Sequence, residues 1–209
     1  VNASAPVVFI VDDDEHVRTA LARLIRSAGH RVETFASAEA FIEDADLEAS
    51  PACLLLDLQL PDLSGLALQR RLHECVPVIV ISGHGDLDSA IDAMKAGAAD
   101  FLPKPVHDAV LLDVLERALE RARRIFAARA ELADIHSRLN QLTPREREVM
   151  MLVVEGYLSK QVASELGAAE KTIKIHRARV MEKMKAGSLA ELVRLAEKAR
   201  LAQSADPGR

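Results

Sequence analysis

Five short apolar runs alternate with amphipathic stretches across the first 120 or so residues. Residues 7–11 (VVFIV), 53–57 (CLLLD) and 78–82 (VIVIS) are near-continuous apolar runs, the pattern of strands buried on both faces. Residues 31–35 (RVETF) alternate, as an edge strand does, and 99–102 form a short fifth strand. Between them lie helical spacings. Val17, Ala20, Leu21, Leu24, Ile25 and Ala28 mark the first helix, which Gly29 stops. Ser37 caps a second helix, and a third spans 66–74. Leu87, Ala90, Ile91 and Met94 give a fourth its apolar face before Gly97. The alternation predicts an α/β fold: a five-stranded, doubly wound parallel sheet with right-handed crossovers and helices on both faces.

A long helix starts near His107. Residues 106–143 contain neither Gly nor Pro after Pro105, and Leu111, Leu115, Ala118, Ala122, Ile125, Ala128, Leu132, Ile135, Leu139 and Leu142 form one stripe. Its first part covers the sheet. The second part needs another partner, either a second chain in a coiled-coil-like contact or this chain's own C-terminal segment. That segment reads as a helix-turn-helix. Thr143, Pro144 and Glu146 supply an N-cap, a first helical proline and a capping box, and Gly156 is the stop. Helices follow at 159–166, 170–185 and 189–199, and residues 204–209 are expected to fray.

Charge sharpens the division. The whole chain carries a formal −5, but residues 1–139 carry 14 Lys+Arg against 23 Asp+Glu, net −9, and residues 140–209 carry 13 against 9, net +4. An acidic half joined to a basic half suggests different partners, nucleic acid among them for the basic half. No apolar run approaches the length needed to span a bilayer. The first six residues lack the features of a secretory signal. Cys53 and Cys75 sit in apolar contexts and read as reduced core residues, so a cytoplasmic protein is expected.

The candidate chemistry lies at the carboxyl ends of the strands, where ligands bind in such folds. Strand one ends in Asp12, Asp13 and Asp14, strand three in Asp57 and strand four in Ser82, and strand five leads to Lys104. Clustered carboxylates repel unless a cation joins them, and hard oxygen donors suit Mg²⁺. Asp57 can then serve as a nucleophile toward phosphorus, with Lys104 stabilising the transferring oxygens and Ser82 bonding the attached group. Asp14 and Glu15 read as loop carboxylates or helix caps. An aspartate-nucleophile phosphatase or dehalogenase is a rival reading. Those enzymes commonly carry a second acid two residues after the nucleophile, and here that residue is Gln59, which cannot act as an acid. A dimerisation scaffold without phosphorylation is another. In the tail, Ile173, Val180 and Met184 form the core face of the third helix, and Lys171, Lys174, Ile175, Ala178 and Arg179 lie opposite. A lone apolar residue among basic ones suits a major-groove helix, with Lys160 reaching a backbone phosphate.

Residues 7–122 resemble the receiver domain of two-component response regulators, through VVFIVDDDE (7–15), CLLLDLQLPDLSG (53–65), VIVISGHGD (78–86) and FLPKP (101–105). Residues 142–200 resemble the LuxR-type DNA-binding domain, through LTPREREVM (142–150), KQVASELG (160–167) and residues 170–196. Together they resemble the NarL/FixJ family, with GHGD, MKAGAADF and VMEKMKAGSLAELVRLA leaning to the FixJ branch.

The resemblance implies a receiver over 1–122 with strand order 2-1-3-4-5, a linker helix over 123–141 and a DNA-binding domain over 142–209. It implies a chain that is not an enzyme. Asp57 would be the phosphoacceptor, and Mg²⁺ would sit on Asp12, Asp13, Asp57 and the carbonyl of Gln59. Ser82 and Phe101 would be switch residues, and Lys104–Pro105 a cis peptide bond. Lys171, Thr172, Lys174, Ile175, Arg177 and Arg179 would lie at or near DNA, with His176 facing inward. A sensor histidine kinase, an operator in double-stranded DNA, RNA polymerase and, on phosphorylation, a second copy of the chain joined around the fourth helix and fifth strand, near 89–96, would be the partners, with no membrane. Ala168 and Ala169 depart from a frequent Ile-Ser pair, so the recognition helix lacks a capping side chain, a loss of about 1 kcal/mol.

Overall fold

The computed structural model describes residues 5–61, 63–72, 75–83 and 87–205. The chain divides into two compact units, Val1–Ala127 and Ala128–Arg209. The first contains β1 (Val7–Val11), α1 (Glu15–Ser27), β2 (Arg31–Phe35), α2 (Ala38–Asp44), β3 (Ala52–Asp57), α3 (Gly65–Leu72), β4 (Val78–Ser82), α4 (Leu87–Lys95), β5 (Asp100–Pro103) and the start of α5 (Asp108–Asn140). The strands form one parallel sheet in the order β2-β1-β3-β4-β5.

Every residue of β1, β3 and β4 is buried, because successive side chains enter opposite layers. Val8, Ile10, Cys53, Leu55, Ile79 and Ile81 meet Leu21 and Ile25 of α1 and Leu111, Leu115 and Leu119 of α5. Val7, Phe9, Val11, Leu54, Leu56, Val78 and Val80 meet Phe41 of α2, Leu68 of α3 and Ala93 of α4. β2 has only exposed and half-buried residues, as its edge position requires. The ends of α1 and α2 follow their sequence signals. Asp14 caps α1, accepting from the amides of His16 and Val17, and Ser37 caps α2.

Three expectations need correction. In α1, Ala20 and Ala28 are exposed and Ala22 takes a core position instead. In α4, two residues of the expected face are not buried, Ala90 is half-buried, and the Leu87 side chain lies outside the described residues. Ala93 is fully buried, whereas Ile91 and Met94 remain 39% and 49% exposed. Buried Gln69 of α3 donates its side-chain N–H to the Ala93 carbonyl at 2.6 Å, a tertiary partner that the periodicity of α4 does not reveal. The third helix runs from Gly65 to Leu72, with residues 73–74 of the expected span outside the described residues. Residues 84–86 of the GHGD motif also lie outside them. Cys53 is buried, Cys75 half-buried, and both are free.

The second unit holds the end of α5, then α6 (Pro144–Val154), α7 (Ser159–Glu165), α8 (Glu170–Met184) and α9 (Leu189–Ala205). Leu142, Val149, Met150, Val153, Val162, Ile173, Val180, Met184 and Leu192 form its core. Thr143 and Glu146 complete the capping box, and Gly156 and Gly167 take φ of +97° and +59° in the turns after α6 and α7. Of the two partners open to the α5 stripe, its last turns take this chain's own output helices. Ile135 is 1% exposed, Arg138 donates to the Met184 carbonyl at 3.0 Å, and Glu131 pairs with Lys198. α9 extends through Ser204 and Ala205, beyond the expected end. No described helix is long and apolar enough to cross a membrane.

Candidate functional site

Parallel pairing brings the carboxyl ends of β1, β3, β4 and β5 to one edge of the sheet. Asp12 follows β1 and is 2% exposed; Asp57 ends β3 and is 6% exposed. Lys104 follows β5, across a cis peptide bond to Pro105. Its Nζ donates to Asp12 Oδ2 at 2.8 Å and to Asp57 Oδ2 at 2.5 Å. Its own backbone N–H donates to the Ser82 carbonyl at 2.8 Å, tying the loop after β5 to the end of β4. Ser82 itself is buried.

The remaining carboxylate oxygens are held locally. Asp12 Oδ1 accepts from the Asp14 amide, and Asp57 Oδ1 from the Gln59 amide, both at 2.9 Å. Burial pushes the Asp12 carboxyl up, against the opposing pull of Lys104. Burial pulls the Lys104 ammonium down, but its bonds to Asp12 and Asp57 outweigh that, so it is raised overall and stays charged. Asp13 is exposed, yet a carboxylate oxygen of each of Asp12, Asp13 and Asp57 falls within 4.8 Å of the other two. Three hard, anionic oxygens at such spacing fit Mg²⁺, and receiver domains bind that ion at such an acidic pocket.

Gly65 also belongs to this site, although its sequence position suggests only a loop end. A Cβ there would lie 2.4 Å from the Asp57 carbonyl oxygen and 2.7 Å from Leu58 Cα. Its signal was the glycine closing the run after Asp57, but the need for close approach appears only in three dimensions. Arg18 was missed for a related reason: it binds the main chain of the acidic loop. Phe101 is half-buried in β5 opposite Val80, packed on the α3–α4 layer, and its amide donates to Asp100 Oδ1 at 2.9 Å.

In the second unit, α8 buries Ile173, Val180 and Met184 and exposes Lys171, Thr172, Lys174, Ile175, Ala178 and Arg179. Ile175 is 48% exposed between these basic groups. Arg177 and His176 are half-buried on the flanks, and His176 Nδ1 is buried without a hydrogen-bond partner. Lys160 stands exposed in the first turn of α7. Lys174 pairs with Glu170 at 2.8 Å, which lowers the Glu170 carboxyl. Neither Leu158 nor Ala169 offers a capping side chain, although the Gln161 side chain accepts from the Leu158 amide.

Comparison with known proteins identifies the family of each half of the chain. Residues 8–116 match the response regulator receiver domain, and residues 140–196 match the luxR family of bacterial regulatory proteins. The chain is 46% identical to nodulation protein W of Bradyrhizobium diazoefficiens, over 91% of this chain and 85% of that protein. It is 44% identical to the transcriptional regulatory protein FixJ of Rhizobium meliloti, over 90% of this chain and 94% of that one. Among solved structures, the response regulator StyR superposes with a TM-score of 0.80 at 42% identity, covering 93% of this chain and all of that one. Both family matches and the FixJ relative are those of a transcriptional response regulator, not an enzyme, so the phosphatase or dehalogenase reading falls away. The chain therefore belongs to the NarL/FixJ family of two-component response regulators, with a receiver domain followed by a LuxR-type helix-turn-helix that binds DNA and regulates transcription.

Proposed function

We propose that phosphorylation of Asp57 by a sensor histidine kinase switches this regulator between a weak and a strong DNA-binding form. The division of labour is a receiver over 1–122, a linker helix over 123–141 and a DNA-binding domain over 142–209. The observation that carries the reading is the bridge of Lys104 between Asp12 and Asp57 at one sheet edge.

An Asp57 carboxylate oxygen attacks the phosphorus of a phosphohistidine on the kinase. The P–O bond forms as the P–N bond breaks, and the histidine nitrogen leaves with the electron pair. Lys104, shared between two carboxylates before transfer, pairs with a phosphoryl oxygen once Asp57 is esterified. Mg²⁺ held by Asp12, Asp13, Asp57 and the Gln59 carbonyl would screen charge on the transferring group. Ser82 bonds the attached phosphoryl group, and Phe101 repacks in response; lacking a hydroxyl, it acts by packing alone. The change favours a second copy of the chain at α4, where exposed Ile91 and Met94 support an interface within residues 89–96. Two recognition helices then meet half-sites about one DNA turn apart. Lys160, Lys171, Lys174, Arg177 and Arg179 hold phosphates or guanine edges. Thr172 and Ile175 contact the groove, Ile175 through a thymine methyl. A regulator of this kind acts in the cytoplasm, where RNA polymerase is the downstream partner.

The test is intact mass and operator binding after incubation with Mg²⁺ and acetyl phosphate. Wild type should gain one phosphoryl group and bind operator more tightly, and Asp57→Asn should do neither. Equal tightening of the variant by phosphodonor overturns the reading.

A further inference from the structure

We propose that Arg18 is the positioning residue for Asp13, and through it for the cation site of the acidic pocket. The inference rests on the phosphoacceptor reading above, and adds a residue to it. Arg18 lies in α1, one turn after the acidic loop. Its Nη1 donates to the main-chain carbonyl of Asp12 at 2.7 Å and to that of Asp13 at 3.2 Å. Those two carbonyls belong to the peptide planes on either side of the Asp13 Cα. Holding both planes sets the direction of the Asp13 Cα–Cβ bond.

Asp13 needs such an anchor more than its neighbours do. Asp12 and Asp57 are buried, and each carboxylate is fixed by Lys104 and by a backbone amide. The Asp13 side chain is exposed and, among the described residues, makes no hydrogen bond or ion pair. Its presence within 4.8 Å of the other two acids is therefore a property of the backbone. The turn is also held on either side of Asp13, by the Asp12 amide donating to the Phe35 carbonyl at 3.3 Å and by the Asp14 cap, while the bond from the Asp14 amide to Asp12 Oδ1 uses a carboxylate that a cation would draw on. The Arg18 bonds use main-chain carbonyls and persist when the carboxylates turn to a metal.

Arg18 also brings a positive charge near the pocket, and that charge alone would oppose a divalent cation. The two effects have opposite signs in one measurement. If positioning dominates, removing the guanidinium weakens Mg²⁺ binding; if repulsion dominates, it tightens it. Positioning is expected to win, because supporting partners of metal ligands typically carry about 10- to 100-fold in affinity. A half-exposed charge acting through water is screened.

The experiment is calorimetric titration of the full chain with Mg²⁺ alone, for wild type, Arg18→Met and Arg18→Lys, with urea unfolding midpoints in metal-free buffer. Arg18→Met keeps the aliphatic stem and should bind Mg²⁺ about tenfold more weakly, with its urea midpoint close to wild type. Arg18→Lys keeps the charge and a donor on a shorter reach, and should recover part of the affinity. Unchanged or tighter binding by Arg18→Met overturns the proposal. A fall in affinity that tracks partial unfolding, and that lysine does not rescue, assigns Arg18 to stability and also overturns it. No Mg²⁺ binding by wild type removes the metal reading itself, and the role of Arg18 with it.

Discussion

Gly65 and Glu146 show how single residues carry each half of the molecule. At Gly65 the main chain of α3 comes so close to the Asp57–Leu58 segment that any Cβ must displace it. Gly65→Ala should cost about 1–3 kcal/mol, as overpacking does. It should also slow phosphorylation by acetyl phosphate, because the displaced atoms are the main chain of the phosphoacceptor. Urea unfolding and intact-mass time courses read both effects. Glu146 is buried, accepts from Lys183 Nζ at 2.6 Å and from the Thr143 amide at 2.9 Å. The Lys183 bond, then that of Thr143, lowers its carboxyl from 4.5 to about 2. Ionised in the folded state and more readily protonated in the unfolded chain, it stabilises the second unit fully above about pH 4.5. That contribution should be lost as pH falls from about 4.5 toward 2, and Glu146→Gln should remove this component of the acid dependence. Chemical denaturation across that range checks the sign.

At the scale of elements, local signals were legible where the partners are close in sequence. The capping box of α6, the cap of α2 and the glycine stops involve groups within a few residues, so pattern alone found them. The face of α4 was not legible. The residue this nine-residue helix buries, Ala93, meets a partner 24 positions away, Gln69 of α3, which no local pattern marks. The missing cap of α8 was legible and is correctable. Ala169 has φ −71° and ψ 140°, the extended geometry of an N-cap, with no side-chain acceptor. Ala169→Ser should stabilise α8 by about 1 kcal/mol, and calorimetry should show a Tm higher by a few degrees. No rise would mean that solvent already satisfies those amides.

At the scale of the whole molecule, the reading predicts that dimerisation can be separated from folding. Ile91 is 39% exposed and outside the core clusters, so Ile91→Asp should leave the unfolding free energy from urea titration within about 0.5 kcal/mol of wild type. Sedimentation after treatment with phosphodonor should nevertheless show monomer for the variant and dimer for wild type. A variant that still dimerises would move the interface away from α4.

The sequence by itself determined the α/β order, the parallel sheet, the helix-turn-helix and the acids, hydroxyl and lysine at the strand ends. It could do so because strand burial, helix periodicity and capping are written in residues a few positions apart. The tertiary structure alone decided which face α4 buries, that the end of α5 packs on its own output helices, and that Gly65 and Arg18 belong to the acidic pocket. Those outcomes depend on contacts to main-chain atoms and on distant partners. Main-chain carbonyls are the same at every position, so no sequence pattern marks the ones that Arg18 and Gln69 bind.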